Sequence, residues 1–188
     1  MMLRASVALV VLLATPASAQ IDDELGIFVQ EACSLSSVEH KIGDRFELYV
    51  TINMRGNLIP SACLEPSIAV RLRITGIPED WKVSLTPSPD AVFHDGDPLE
   101  PSGGKVEVPF QGSRCLILYT VNVESTVDGG TYELGLAGPG GECPEIKRKA
   151  MNCDGWWYCA QSVGSIVVNL TANTPVRRTS WSRLKIFF

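Results

Sequence analysis

The stretch IAVRLRIT, residues 68–75, alternates without a break. Ile68, Val70, Leu72 and Ile74 fall on one side of an extended chain, and Arg71 and Arg73 on the other. A period of two over so short a run marks a half-buried strand. The same pattern recurs outward from it in FELYVTINM (46–54), WKVSL (81–85), VEVPF (106–110), LILYTVNV (116–123), YELGL (132–136) and SIVVNLT (165–171). Turn chemistry separates these runs: GIPED (76–80), PSPD (87–90), DGDP (95–98), PSGG (101–104), DGG (128–130) and GPGG (138–141). Gly and Pro there supply or fix backbone angles that strands do not use. The one helical candidate is residues 22–30. Without helical crossovers the sheets are expected to be antiparallel, and some seven to eight strands make a two-layer all-β sandwich. A closed barrel is the alternative. An outer-membrane barrel would suit the ending IFF (186–188), but six cysteines and scattered prolines do not suit lipid-facing strands.

The first nineteen residues read as a cleaved secretory signal peptide. Arg4 gives a positive start, residues 5–14 are apolar apart from Ser6, and Ala17-Ser18-Ala19 is an A-x-A site. The apolar run is about half the roughly twenty residues that a spanning helix needs. Later residues hold no stretch apolar enough to span a bilayer, so no transmembrane segment is expected after cleavage. The expected organisation is a signal at 1–19, an N-terminal segment at 20–44 and one domain at 45–188. The chain is 45% apolar, enough for a core. Its formal charge is −5, and losing Arg4 with the leader makes it more negative. An acidic chain lacks the basic face that phosphate contacts need, so nucleic acid is not an expected partner.

Cys33, Cys63, Cys115, Cys143, Cys153 and Cys159 all follow the leader. An even number in an exported chain reads as three candidate disulfides. Proximity favours a bridge among Cys143, Cys153 and Cys159 without choosing between them. No C-x-x-C occurs, and His40 and His94 lie far off in the sequence, so no metal and no cofactor are expected. The expected location is secreted, periplasmic or at the cell surface.

Two stretches carry a family resemblance. ITGIPEDWKVSL (74–85) is similar to a segment of NEW3-type domains, immunoglobulin-like sandwich modules of secreted bacterial and archaeal proteins. DGGTYELGL (128–136) resembles the D-x-G-x-Y of immunoglobulin-like folds, with Asp128, Gly130 and Tyr132 in register. This implies a tyrosine corner, although Leu134 stands where antibody domains have a cysteine. The resemblance covers roughly residues 45–172 and implies an immunoglobulin-like antiparallel sandwich. It departs at residues 139–161, where a cysteine-rich insertion separates the last two core strands.

On that architecture, residues 132–136 and 165–171 become neighbouring strands, and the insertion projects from one end of the sandwich. Within it NCDGWWYC (152–159) holds two cysteines, two tryptophans and a tyrosine. Trp156, Trp157 and Tyr158 are the candidate ligand-binding residues, since flat aromatic faces suit sugar rings or apolar side chains of a partner. The competing reading is that they cover the disulfides and the open end of the core. Adjacent residues cannot all face one way, so at least one tryptophan is expected inside. EIKRK (145–149) adds positive charge to an acidic chain.

Weaker features are HDGD (94–97), read as a turn, and Asn169-Leu-Thr171, a glycosylation sequon within an expected strand. The basic, aromatic stretch 175–188 is read as a tail or final edge strand. Neither histidine stands beside a recognisable nucleophile, and no catalytic motif is visible. The expected function is a non-catalytic binding or adhesion module whose partner is a glycan or an extracytoplasmic protein. A structural subunit of a cell-surface assembly is the alternative, and an enzyme of unrecognised type comes third.

Overall fold

Strand β4 (Ser67–Thr75) realises the alternation at residues 68–75: Ile68, Val70, Leu72 and Ile74 are buried, and Arg71 and Arg73 face outward, partly exposed. The computed structural model describes residues 23–29, 33, 37–54, 67–110, 115–125, 129–150, 153–160 and 162–171. The leader, Cys63, Asp128 and the stretch 175–188 lie outside the described residues. The other strands are β1 (Glu24–Phe28), β2 (Ser37–Lys41), β3 (Arg45–Asn53), β5 (Lys82–Pro87), β6 (Phe93–Gly96), β7 (Gly104–Pro109), β8 (Cys115–Glu124), β9 (Gly130–Ala137), β10 (Glu145–Ala150), β11 (Cys153–Cys159), β12 (Ser162–Gly164) and β13 (Ile166–Thr171). One 3₁₀ turn, Pro139–Gly141, lies between β9 and β10.

These strands form two facing sheets. The first runs β12-β1-β3-β8-β5. The second is built around β4. Its residues Ser67–Leu72 pair with β7 on one edge, Ser67–Arg71 pair with β10 on the other, and Arg73–Thr75 pair with β9. β6 extends beyond β7, β11 beyond β10, and β13 and β2 beyond β9. Leu48, Val50 and Ile52 of β3 and Val121 and Val123 of β8 meet Val70, Leu72, Leu134 and Val168 in one apolar cluster. Trp81 closes one end of this cluster, edge-on to Phe46 at 5.9 Å and to Tyr132 at 5.2 Å.

Several expectations are corrected. Residues 24–28, within the helical candidate 22–30, form a strand. Leu25 and Ile27 point into the core, and Phe28 lies against Gly26 on the other face. Strands β1 and β2, read as part of a segment outside the 45–188 domain, belong to the two sheets. The sheets are not purely antiparallel, because β1–β12 and β2–β13 pair in parallel. The described residues hold thirteen strands rather than seven or eight. The HDGD stretch is not simply a turn, since 93–96 pair with β7 before the chain bends. The neighbouring placement of 132–136 and 165–171 holds, with β9 and β13 antiparallel in register.

The largest difference concerns the insertion. It does not project as a loop: β10 and β11 are a hairpin on the flank of the second sheet, and β12 crosses to pair with β1 in the first. The described residues of the 139–161 stretch therefore close one side of the sandwich. Ile146 of β10 is fully buried in the common core. Two disulfides are described, Cys33–Cys115 and Cys143–Cys159, with sequence separations of 82 and 16. Loops of such lengths lose about 4–5 and about 3 kcal/mol of unfolded-state freedom in the chain-entropy account.

Two tests follow from this packing. Ile146→Ala should cost about 2–5 kcal/mol in urea unfolding, the cost of an emptied core site; a dispensable loop would show almost none. At the β2 edge, His40 stacks on Phe46 at 4.1 Å. Burial lowers its pKa, with Asp44 opposing. A folded pKa below the unfolded value of about 6.5 gives stability that is whole above that pH and is lost as pH falls through the folded value. Melting temperature should therefore decline from about pH 7 to about pH 5, and His40→Phe should flatten that slope.

Candidate binding site

The three aromatic residues of the insertion take three different environments. The hairpin register pairs Lys147 with Trp157 and Ile146 with Tyr158, so these two side chains lie on opposite faces. Beyond Lys147 the register shifts, and the next pair is Lys149 with Asp154. Gly155 and Trp156 thus stand together opposite Arg148, which is a β-bulge. A Cβ at Gly155 would lie 2.3 Å from the Arg148 carbonyl oxygen, so only glycine fits there. Trp156, the extra residue's neighbour, is 90% exposed.

Tyr158 turns inward to a buried ion pair. Asp23, just ahead of β1, is fully buried. Arg148 Nη2 donates to both its carboxylate oxygens, at 2.7 and 2.8 Å. The Tyr158 hydroxyl donates to Asp23 Oδ2 at 2.8 Å and accepts from Arg148 Nε at 3.2 Å. Burial raises the Tyr158 pKa and the Asp23 charge raises it further, so the hydroxyl keeps the proton it donates. Burial alone would lower the Arg148 pKa, but its bonds to Asp23 more than reverse that, and the guanidinium stays charged. Tyr158 is therefore a structural residue.

The expectation that one tryptophan lies inside is corrected: the inward ring is Tyr158, and Trp157 faces outward on the second sheet, partly covered. The Arg71 guanidinium lies 4.1 Å from its ring centroid, and the Lys105 ammonium lies 5.9 Å away. Lys105 also lies 4.7 Å over the ring of Phe93. On the same face Arg71 pairs with Glu145 at 3.3 Å, and Lys149 pairs with Glu107 at 2.7 Å. Ser67 donates to Glu107 at 2.6 Å. Burial would raise the Glu107 pKa, but Lys149 and Ser67 outweigh it and hold it below the ordinary value. A groove of about 620 Å³ runs beside Arg71, Lys105, Phe93 and Cys143.

The base of the hairpin is held at both ends. Cys143–Cys159 settles the choice between Cys153 and Cys159 as the partner of Cys143. Ala160 N–H donates to the Pro144 carbonyl at 2.8 Å. A Cβ at Gly138 would fall 2.1 Å from the Cys143 carbonyl oxygen, so the corner closes only around a glycine.

Other expected positions gather no site. His40 packs on Phe46, and His94 is exposed in β6. Among the described residues no group of three His, Cys, Asp or Glu is placed to hold a metal ion. Tyr132 folds its hydroxyl back toward Gly130, while Asp128, the third member of the expected tyrosine corner, lies outside the described residues. Asn169 accepts a hydrogen bond from Thr131 at 2.8 Å on the outer face of β13. Asp23, Arg148, Arg71 and Lys105 were not among the expected site residues. The signal for Arg148 was present, because the alternation of Glu145, Lys147 and Lys149 leaves it on the face of Ile146.

No family model matches the chain, and no curated protein matches it. Among solved structures it is similar to the cohesin module of a family 33 glycoside hydrolase from Clostridium perfringens, at 16% identity. That match covers 81% of this chain and 99% of that one, with a TM-score of 0.49. A non-cellulosomal cohesin from the archaeon Archaeoglobus fulgidus is similar at 15% identity, over 80% of this chain and 91% of that one, with a TM-score of 0.43. Likeness of this degree carries no inference about activity or partner.

Because Asp23 is buried, removing one member of its ion pair strands a charge. Asp23→Asn or Arg148→Met should each cost about 3–5 kcal/mol in denaturant unfolding. The double variant Asp23→Leu/Arg148→Met should recover much of that loss. Singles that unfold like the parent would show that the hairpin is held by other contacts.

Proposed function

We propose that this protein is an exported, non-catalytic module that binds another extracytoplasmic protein through the β10–β11 hairpin, with Trp156 as the anchor. The observation that carries this reading is the 90% exposure of Trp156 on a strand whose C-terminal end is pinned by a disulfide and a buried hydrogen bond. A large apolar ring in water is a standing cost, and contact with a partner removes it. Tryptophan is favoured among residues that dominate binding energy. Its supporting strand is fixed by the Cys143–Cys159 disulfide and by Tyr158 on Asp23, so little order remains to be imposed on binding.

A protein partner is favoured over a glycan by the splitting of the three rings. Sugar platforms need ring faces open side by side. Here Arg71 stands against the Trp157 ring at 4.1 Å and Tyr158 is turned to the interior. A structural subunit role would have placed both tryptophans in the core, and Trp156 does not lie there. Export is supported by the leader-like residues 1–19 and by the two disulfides, which persist in oxidising compartments. Among the described residues no helix is long and apolar enough to cross a membrane.

The test uses the mature chain, tagged and immobilised, against an extracytoplasmic protein fraction and a glycan array. A discrete protein should be retained, and Trp156→Ala should abolish its retention while shifting the melting temperature by no more than about 2 °C. Trp157→Ala should lower the melting temperature, since it also unseats Arg71. Glycan capture that depends on Trp156, with no protein retained, would replace this reading.

A further inference from the structure

The hairpin register says more than which side chain is exposed. It also says which main-chain groups are. In an antiparallel ladder, residues alternate between turning both N–H and C=O to the neighbour and turning both away. Glu145 stands opposite Cys159, and the Ala160 N–H bonds to the Pro144 carbonyl. The phase is thereby set: residues 158 and 160 turn their main-chain groups to β10, and Trp157 and Cys159 turn theirs outward. Among the described residues no strand pairs with that outer edge. β11 thus presents two outward donor–acceptor pairs about 7 Å apart, the repeat of an extended chain.

The other edges of the two sheets are guarded. β5 begins at Lys82 and ends at Pro87. β12 has three residues and β6 has four, and β2 carries Glu39 and Lys41. Short length, proline and charge are the usual defences of an edge. β11 is seven residues long and contains neither proline nor lysine; its one charged residue, Asp154, and its bulge lie ahead of Trp157, so the edge from Trp157 to Cys159 carries neither.

We infer that the partner binds by strand addition: an extended polypeptide segment pairs with the main chain of Trp157 and Cys159, and an apolar side chain of that segment packs on Trp156. The inference rests on the protein-binding reading above and specifies its mode. An unpaired row of N–H and C=O groups is complementary to another extended backbone, and strand addition is an established way of recognising peptides.

The probe is a phage-displayed library of random linear dodecapeptides panned on the immobilised mature protein. Selected peptides should bind with dependence on Trp156. Hydrogen exchange in the free protein should be fast at the Trp157 and Cys159 amides, and bound peptide should slow both by about tenfold or more. Peptides N-methylated at alternate residues should lose about tenfold or more in affinity in one of the two phases. Amides at Trp157 and Cys159 already protected in the free protein would overturn the inference, as would peptides that bind without slowing them. If Trp156→Ala abolishes binding while those amides stay fast in the complex, the anchor stands and strand addition falls. If the library yields no binder, strand addition falls as well.

Discussion

A carboxylate with no exposed surface sits at the entrance to the first sheet, and the shape of the insertion answers to it. Taking Asp23 out of water costs several kcal/mol, which only a close and well-aligned partner offsets. Arg148 and Tyr158 supply that partner, and they come from the two strands of the hairpin. The ion pair therefore ties β1 of one sheet to β10 and β11 of the other. Turning or sliding the hairpin by one residue would reverse the faces of its side chains. It would carry Arg148 to solvent, draw Ile146 out of the core, and leave Asp23 charged in an apolar interior. A register that would be loosely set by aromatic packing alone is set instead by charge.

With register fixed, the rest of the insertion has few choices. Glu145 must fall beside Cys159, so Cys143 lies within reach of that cysteine, across the corner built on Gly138. Tyr158 must point in and Trp157 out, where Arg71 and Lys105 gather at its ring. After the bulge, β11 carries the chain on to β12, which returns to β1 in parallel. The ion pair and the parallel pairing meet at the same strand, so both sheets share one seam.

The strands with strict alternation were legible from residues alone. From Val70 onward β4 shows its buried and half-exposed faces in every second letter, with Ala69 buried as well, and β9 and β13 pair as expected from YELGL and SIVVNLT. The β1 stretch was misread because Leu25, Phe28 and Val29 also fit a helical stripe. In five residues the two periods cannot be told apart, and Gly26 between Leu25 and Ile27 is the only local hint of extension. Parallel partners were not legible at all. Nothing in SVEHK names β13 as its neighbour, because pairing is decided by long-range packing. At the candidate site, the rule that adjacent residues alternate separated Trp157 from Tyr158, but it wrongly put a tryptophan inside, where Tyr158 lies instead. It could not say which ring reaches water, since that depends on one extra residue in the ladder.

That extra residue reconciles two demands on the edge. An edge strand that is straight, apolar and open invites indiscriminate pairing, and natural edges are blunted to prevent it. The bulge at Gly155–Trp156 bends the strand and breaks the ladder, which limits how long a segment can be matched. It also moves Trp156 off the regular alternation that governs Trp157 and Tyr158. A tryptophan at a regular position would have been drawn over Arg71 or into the core, as its two neighbours are. The break in the ladder and the exposure of Trp156 therefore have one geometric cause, and it needs a glycine beneath the Arg148 carbonyl.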